Sequence, residues 1–370
     1  MNRRRILEGG AMGITGAAVA ARLWPGAGFP RRQQESVVAI LRCDDYATCH
    51  KAVEDGLRLL APSVRGKRVL LKPNLVEYST KATINTHPSV IAATADSLFL
   101  LGASEVVVAD GPGHVRDSEM LIDESGLKRS LAEVGGIQFI DLNFDTVHRV
   151  TPRGGFTSFR ELWLPETVLA ADVVISMPKI KTHHWAGVTL SLKNLFGCIP
   201  GNVYGWPKNV LHWEGIDNSV AELAATIPIH YVIADGIVAM EGNGPLHGPS
   251  RHLGCLVFSN DPVAADATCC RLMGIEPSRV RHLQMTAPLG NASPERITHL
   301  GEPVNALNQN FVLIPAFRHI AVPSHLERRC PLLAAGSMWL LRSRCHRAPF
   351  GVRGNERSIL VRRRGPISFS

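Results

Sequence analysis

Short apolar runs rich in β-branched residues alternate along this chain with longer stretches whose apolar positions recur at helical spacing. Runs at 37–41, 68–71 and 105–109 are followed by helical patterns at about 48–60, 88–101 and 119–134. That alternation is the rhythm of βαβ units in a parallel sheet. Further strands are expected at 137–141, 172–176, 229–234, 254–258 and 311–314. Residues 145–165, with Pro152 and Gly154-Gly155 between two mixed segments, read as a hairpin insertion, and 198–215 as a loop rich in Gly, Pro and Trp. A helix at about 262–273 opens with Asp261 as N-cap and Pro262 in its first position, a favoured start. The pattern predicts an α/β fold: a doubly wound, mainly parallel sheet with helices on both faces and a small hairpin insertion.

The periodic pattern occupies 31–317, which is read as a single α/β domain between two segments of different character. Residues 1–30 place Arg3-Arg4 before a mildly apolar Gly/Ala stretch, the layout of a twin-arginine leader, so the protein is expected to be exported by that route to a periplasmic or other extracytoplasmic space. The stretch is shorter than the roughly 20 apolar residues a membrane span needs, so membrane contact is expected only through the leader. Residues 318–370 hold 11 Arg, no Lys and 2 Glu without clear periodicity, and are expected to be a poorly ordered tail.

Charge then narrows the class of partner. Of the net +8, the tail carries +9 and the first thirty residues +3, which leaves −4 on 31–317. With no basic stripe interleaved with aromatics, the body is not expected to bind nucleic acid. The eight cysteines form no C-x-x-C pair, so no intrinsic iron-sulfur cluster motif is present. Cys43 and Cys49 could pair in an oxidising compartment, while Cys198, Cys255, Cys269 and Cys270 sit in apolar context as core residues.

Candidate chemistry gathers where predicted strands end. Residues 68–71 run into Lys72-Pro73-Asn74, 106–109 into Asp110-Gly111-Pro112-Gly113, 173–177 into Pro178-Lys179-Ile180-Lys181-Thr182-His183-His184, and 231–234 into Asp235-Gly236 with Glu241 and Asn243 close behind. Lys193 and Asn194 follow shortly after the histidines. In a parallel sheet such loops project from one edge, where ligands of open α/β folds collect. Only nine lysines occur in 31–317, and Lys72, Lys179, Lys181 and Lys193 all fall in these segments. The expected result is one open concavity for a small carboxylate- or phosphate-bearing ligand. His183, Lys181 and Asp235 are the catalytic candidates. Lys72, Asn74, Gly111, Lys179, Thr182, Lys193, Asn194 and Asn243 are the candidate ligand contacts. Asp110, Asp235, Glu241 and Asp266 could hold a divalent cation. Neighbouring histidines on an extended segment are expected to point opposite ways.

Taken together, Lys72-Pro73-Asn74, Asp110-Gly111-Pro112-Gly113, Pro178-Lys179-x-Lys181-Thr182-His183 with Lys193-Asn194-x-x-Gly197, Asp235-Gly236 with Met240-x-Gly242-Asn243-Gly244-Pro245, and Asn260-Asp261-Pro262-Val263-Ala264-x-Asp266 resemble the family called domain of unknown function 362 over about 37–316. The resemblance implies an α/β fold and, for many relatives, association with iron-sulfur chemistry through a fused ferredoxin-like segment that this chain lacks. Two functions fit this reading: an enzyme, redox-linked or metal-assisted, acting on an anionic small molecule with a redox or iron-sulfur partner protein, or a non-catalytic protein that carries a ligand or metal for maturation of a partner.

Overall fold

In the computed structural model the described residues are 35–113, 117–135 and 137–314. The expected leader and tail lie outside them. The strands, in chain order, are β1 (Ser36–Arg42), β2 (Arg68–Pro73), β3 (Glu105–Asp110), β4 (Phe139–Asp141), β5 (Val147–Val150), β6 (Leu162–Pro165), β7 (Val173–Met177), β8 (Lys179–His183), β9 (Gly187–Thr189), β10 (Tyr231–Met240), β11 (Ser250–Ser259) and β12 (Ile297–Gly301). The main sheet runs β12-β1-β11-β10-β7-β2-β3-β4, with β8 joined to β10 and β9 beside it. Neighbours are parallel except at β11, which opposes both β1 and β10, and at β9, which opposes β8. A strand that follows its neighbour after a short connection, as β11 follows β10, returns antiparallel without a crossover. The expected hairpin is present as β5 paired with β6.

Alternation along the strands supplies two cores. Val38, Ile40, Leu70, Val107 and Val174 face one side; Ala39, Val69, Leu71, Val108 and Ile175 face the other. Helices α1 (Cys49–Leu60), α2 (Pro88–Leu100), α3 (Ser118–Glu124) and α4 (Leu127–Val134) cover the second side, and α5 (Ser191–Asn194), α6 (Ile216–Thr226) and α7 (Pro262–Leu272) the first. Such two-sided cover is why the central strands read as nearly continuous apolar runs.

Some expectations are corrected. The helix expected at 119–134 is two helices, divided at Gly126 with φ 78°. The strand expected at 311–314 is a single bridge from Leu313 to Gly242. β12 escaped notice because it is an edge strand with mostly exposed residues and no apolar run. Most consequential is 179–183, expected to be a loop: it is β8, buried throughout.

Candidate functional site

The sheet carries Lys72, Asp110, Lys179 and Asp235 to its carboxyl edge, as expected, but makes two closed ion pairs of them. Lys72 Nζ lies 2.6 Å from Asp110 Oδ1, both side chains 1% exposed. Its ammonium also donates to the Pro73 carbonyl at 2.8 Å and to Asn194 Oδ1 at 2.9 Å. An ammonium has three N–H groups, so Lys72 is fully occupied. Asn194 Nδ2 returns hydrogen bonds to the Lys72 carbonyl and Ser176 Oγ. Asp110 accepts the backbone N–H of Leu75 at 2.6 Å and of Gly111 at 2.8 Å. Gly111 donates its own N–H to the Gly197 carbonyl as well, and a Cβ on Gly197 would collide with Asp110 and Lys72, so glycine is needed for this approach. Lys208 closes the assembly through the carbonyls of Gly111 at 2.8 Å and Phe196 at 3.0 Å.

The second pair is Lys179 and Asp235, which face each other in register, with Nζ to Oδ2 at 2.6 Å and neither side chain exposed. Lys179 also donates to Tyr46 Oη at 2.8 Å and the Val238 carbonyl at 3.1 Å, so it too is fully occupied. Tyr46 donates to Asp235 Oδ1, and burial, then Asp235, pushes its hydroxyl pKa up. The His87 ring stacks on Tyr46 at 3.7 Å between centroids, and the His87 backbone N–H donates to Asp235 Oδ2.

Between and beyond these pairs lie donors that the fold leaves open. Lys181 is fully buried and bonds the Ile84 carbonyl at 2.7 Å. Burial, followed by repulsion from Lys179 and Lys193, holds it well below the ordinary lysine range. Opposite it across β8 and β9 stands Thr189, whose buried hydroxyl, like Asn74 Oδ1, has no partner among the described residues. Half-buried Lys193 has its Nζ 3.8 Å from the centre of the Phe196 ring. Among the described residues it has no hydrogen-bond or ion-pair partner. Burial, then the charges of Lys208 and Lys72, bring its pKa down to about 7.

His183 corrects an expectation. Its Nδ1 accepts backbone N–H groups from Trp185 at 3.1 Å and Ala186 at 3.2 Å. A nitrogen in that role cannot carry the proton, so the neutral ring bears its hydrogen on Nε2. Burial, then Lys193, His184, Lys181 and His212, holds its pKa well below the usual 6.5. His183 is therefore a hydrogen-bond donor at neutral pH and not the proton carrier expected from the sequence. Nor do the paired histidines point apart: β8 ends at His183, and beyond that end the rings stack at 5.0 Å. Ring contacts continue from His184 to Trp185 at 4.6 Å, Trp185 to His212 at 5.5 Å and His212 to Phe196 at 5.7 Å. Since Phe196 carries Lys193, these groups form a rim, with aromatic walls and a single amine without a counter-charge.

The strand-end residues do not line either of two cavities found among the described residues. A cavity of about 610 Å³ is lined by Arg271, Ile275, His299 and Val304, and another of about 280 Å³ by Ile122, Leu127 and Phe139; neither touches the lysine clusters. At the strand ends the charges pair with each other. The carboxylate quartet is dispersed for the same reason. Asp110 and Asp235 belong to separate lysines. Asp266 accepts Ser191 Oγ at 2.6 Å and the N–H groups of Ser191 and Leu192, while burial pushes it up to about 6. Glu241 accepts the Val312 N–H at 2.9 Å and pairs with Arg251 at 3.5 Å. Among the described residues no group of three or more His, Cys, Asp or Glu is arranged for a metal. These carboxylates do not fit the cation expected of them.

Other candidates are structural too. Lys72, Asp110, Gly111 and Asn194 belong to the closed assembly, and Lys179 and Asp235 to the second pair. Thr182 Oγ1 ties β8 to the Gly242 carbonyl at 2.9 Å, and Asn243 is exposed on the following loop. Cys43 and Cys49 are free and buried. Sequence reasoning passed over Tyr46, His87, Trp185, Phe196, Lys208 and His212. Lys208 lies in the Gly/Pro/Trp loop at φ 64°, and only tertiary packing brings it beneath the strand ends.

Comparison with known proteins matches the model described as Domain of unknown function (DUF362) to residues 69–271. A thylakoid-associated protein of Synechocystis sp. is 34% identical over 241 residues, 61% of this chain and 68% of that protein. Among solved structures, the lactate racemase apoprotein from Thermoanaerobacterium thermosaccharolyticum aligns at 14% identity with TM-score 0.39, over 66% of this chain and 58% of that one. A protein from Thermotoga maritima aligns at 13% identity with TM-score 0.40, over 63% of this chain and 60% of that one. The chain thus spans about three-fifths of these solved chains.

Proposed function

The chain belongs to the DUF362 family, and from that premise we propose that its carboxyl-edge site binds a small carboxylate- or phosphate-bearing molecule and acts on it as an enzyme. The observation that carries the reading is Lys193, an amine without an anionic partner beside cations that are held in place by other groups. An uncompensated ammonium in a half-buried place is costly, and a bound anion supplies the missing acceptors. Lys72 and Lys208 provide a fixed positive field that attracts that anion, and His183 Nε2–H donates a hydrogen bond to it. Lys193, near neutrality, can give or take a proton at working pH, which favours catalysis over passive carriage. The carboxylates expected to hold a divalent cation already have other partners.

We place the protein at or beyond a membrane, reached through the Arg3-Arg4 leader. The thylakoid association in the Synechocystis relative's name supports that placement.

Calorimetric titration with inorganic phosphate and with acetate tests the binding. Binding draws a proton onto Lys193, so affinity for acetate should fall about thirtyfold from pH 6 to pH 8.5. Lys193→Met should weaken binding at pH 6 and flatten that dependence. A wild-type protein that takes up neither anion, or a variant that binds unchanged, overturns the reading.

A further inference from the structure

Resting on that anion-binding reading, we propose that Lys193 is a nucleophilic amine and that the ligand carries a carbonyl as well as its charge: a small aldehyde or 2-oxo acid bearing a carboxylate or phosphate. The lysines of this edge divide by what their nitrogens do. Lys72 and Lys179 each meet three acceptors and have no lone pair to offer. Lys208 is held between two carbonyls. Lys181 is held by the Ile84 carbonyl and is fully buried. Half-buried Lys193 has its nitrogen against the Phe196 ring, without a carboxylate or carbonyl among the described residues to stabilise its charge. Lys72 and Lys208 cannot swing away to relieve the repulsion, so the pressure towards the free amine is built into the fold. A pKa of about 7 agrees with that geometry and leaves a substantial fraction of the amine unprotonated at neutral pH.

The surroundings suit addition to a carbonyl. His183, with Nδ1 filled by two amides, presents an Nε2–H that can hydrogen-bond a carbonyl oxygen. Trp185, His212 and Phe196 wall the rim with aromatic rings in edge-to-face contact, apolar surface against which a small planar ligand can pack. In the step proposed, the Nζ lone pair forms a C–N bond as the C=O π pair moves onto oxygen. The nitrogen loses a proton and the oxygen gains one, giving a carbinolamine. Loss of water then breaks the C–O bond and leaves an imine. Amine plus carbonyl gives imine plus water, with no change of oxidation state.

Glyoxylate with sodium cyanoborohydride tests this on the full chain at pH 7. Reduction converts the imine to carboxymethyl-lysine, which peptide mapping locates. Lys193 should be labelled at least about tenfold faster than exposed Lys51 and Lys128. Inorganic phosphate should protect Lys193, and propanal, which lacks the charge, should label it with a smaller preference than glyoxylate. Lys193→Arg should lose the label. Because the rate comparison is made within the wild-type protein, it does not depend on that variant folding. Labelling of Lys193 no faster than of Lys51 overturns the inference, and equal preference for propanal overturns its anionic part. Phosphate binding measured beside it tells whether the underlying reading survives or falls as well.

Discussion

Lys72 and Lys193 show how little a residue type says until its partners are counted: Lys72 sits against Asp110 and two further acceptors, whereas Lys193 Nζ meets the face of the Phe196 ring. Removing one member of the Lys72–Asp110 pair strands a buried charge, whereas removing Lys193 relieves one. The sign follows from its titration. Lys193 falls from 10.5 to about 7 on folding, so between those values the unfolded chain holds more protons and stability rises with pH. The cost of burying this amine is therefore full below about 7 and gone above about 10.5. Lys193→Met should raise stability by about 1 kcal/mol at pH 6, after discounting for its half-exposed setting, and by little at pH 10. Urea unfolding at the two pH values measures it, and a variant less stable at pH 6 would show that packing of the aliphatic stem dominates.

Among the elements, β8 departs furthest from its sequence signal. Buried strands are recognised by apolar runs, yet Lys179, Lys181 and His183 alternate along a strand with every residue buried. They are tolerated because Asp235, Ile84 and two backbone amides supply what water would have supplied. α7 behaves as its sequence suggests: Asp261 caps it by accepting from Val263 at 2.8 Å and Ala264 at 3.2 Å. The same carboxylate accepts from Asn291 N–H and Ser36 Oγ, so it also ties the helix start to β1. Asp261→Ala should cost about 2–3 kcal/mol, above a simple cap, because buried donors lose their acceptor. Equilibrium unfolding checks it, and a loss below about 0.5 kcal/mol would mean that water replaces the carboxylate.

At the scale of the whole molecule, the prediction is about address. If Arg3-Arg4 direct export, replacing both by Lys should leave the protein in the cytoplasm, as fractionation of expressing cells would show; undiminished export would remove the leader from the account. The α/β class, the hairpin, the paired faces and the strand ends that bear charge were all legible in the chain. Period-2 and period-3.6 patterns are local consequences of burying one face, and they survive in the sequence. Tertiary structure decided which charges met. Lys72 with Asp110, Lys179 with Asp235, and His212 with both Trp185 and Phe196 join residues distant in sequence. Whether a strand-end lysine is occupied or open depends on how many acceptors packing brings within about 3 Å of it, and no spacing along the chain encodes that number.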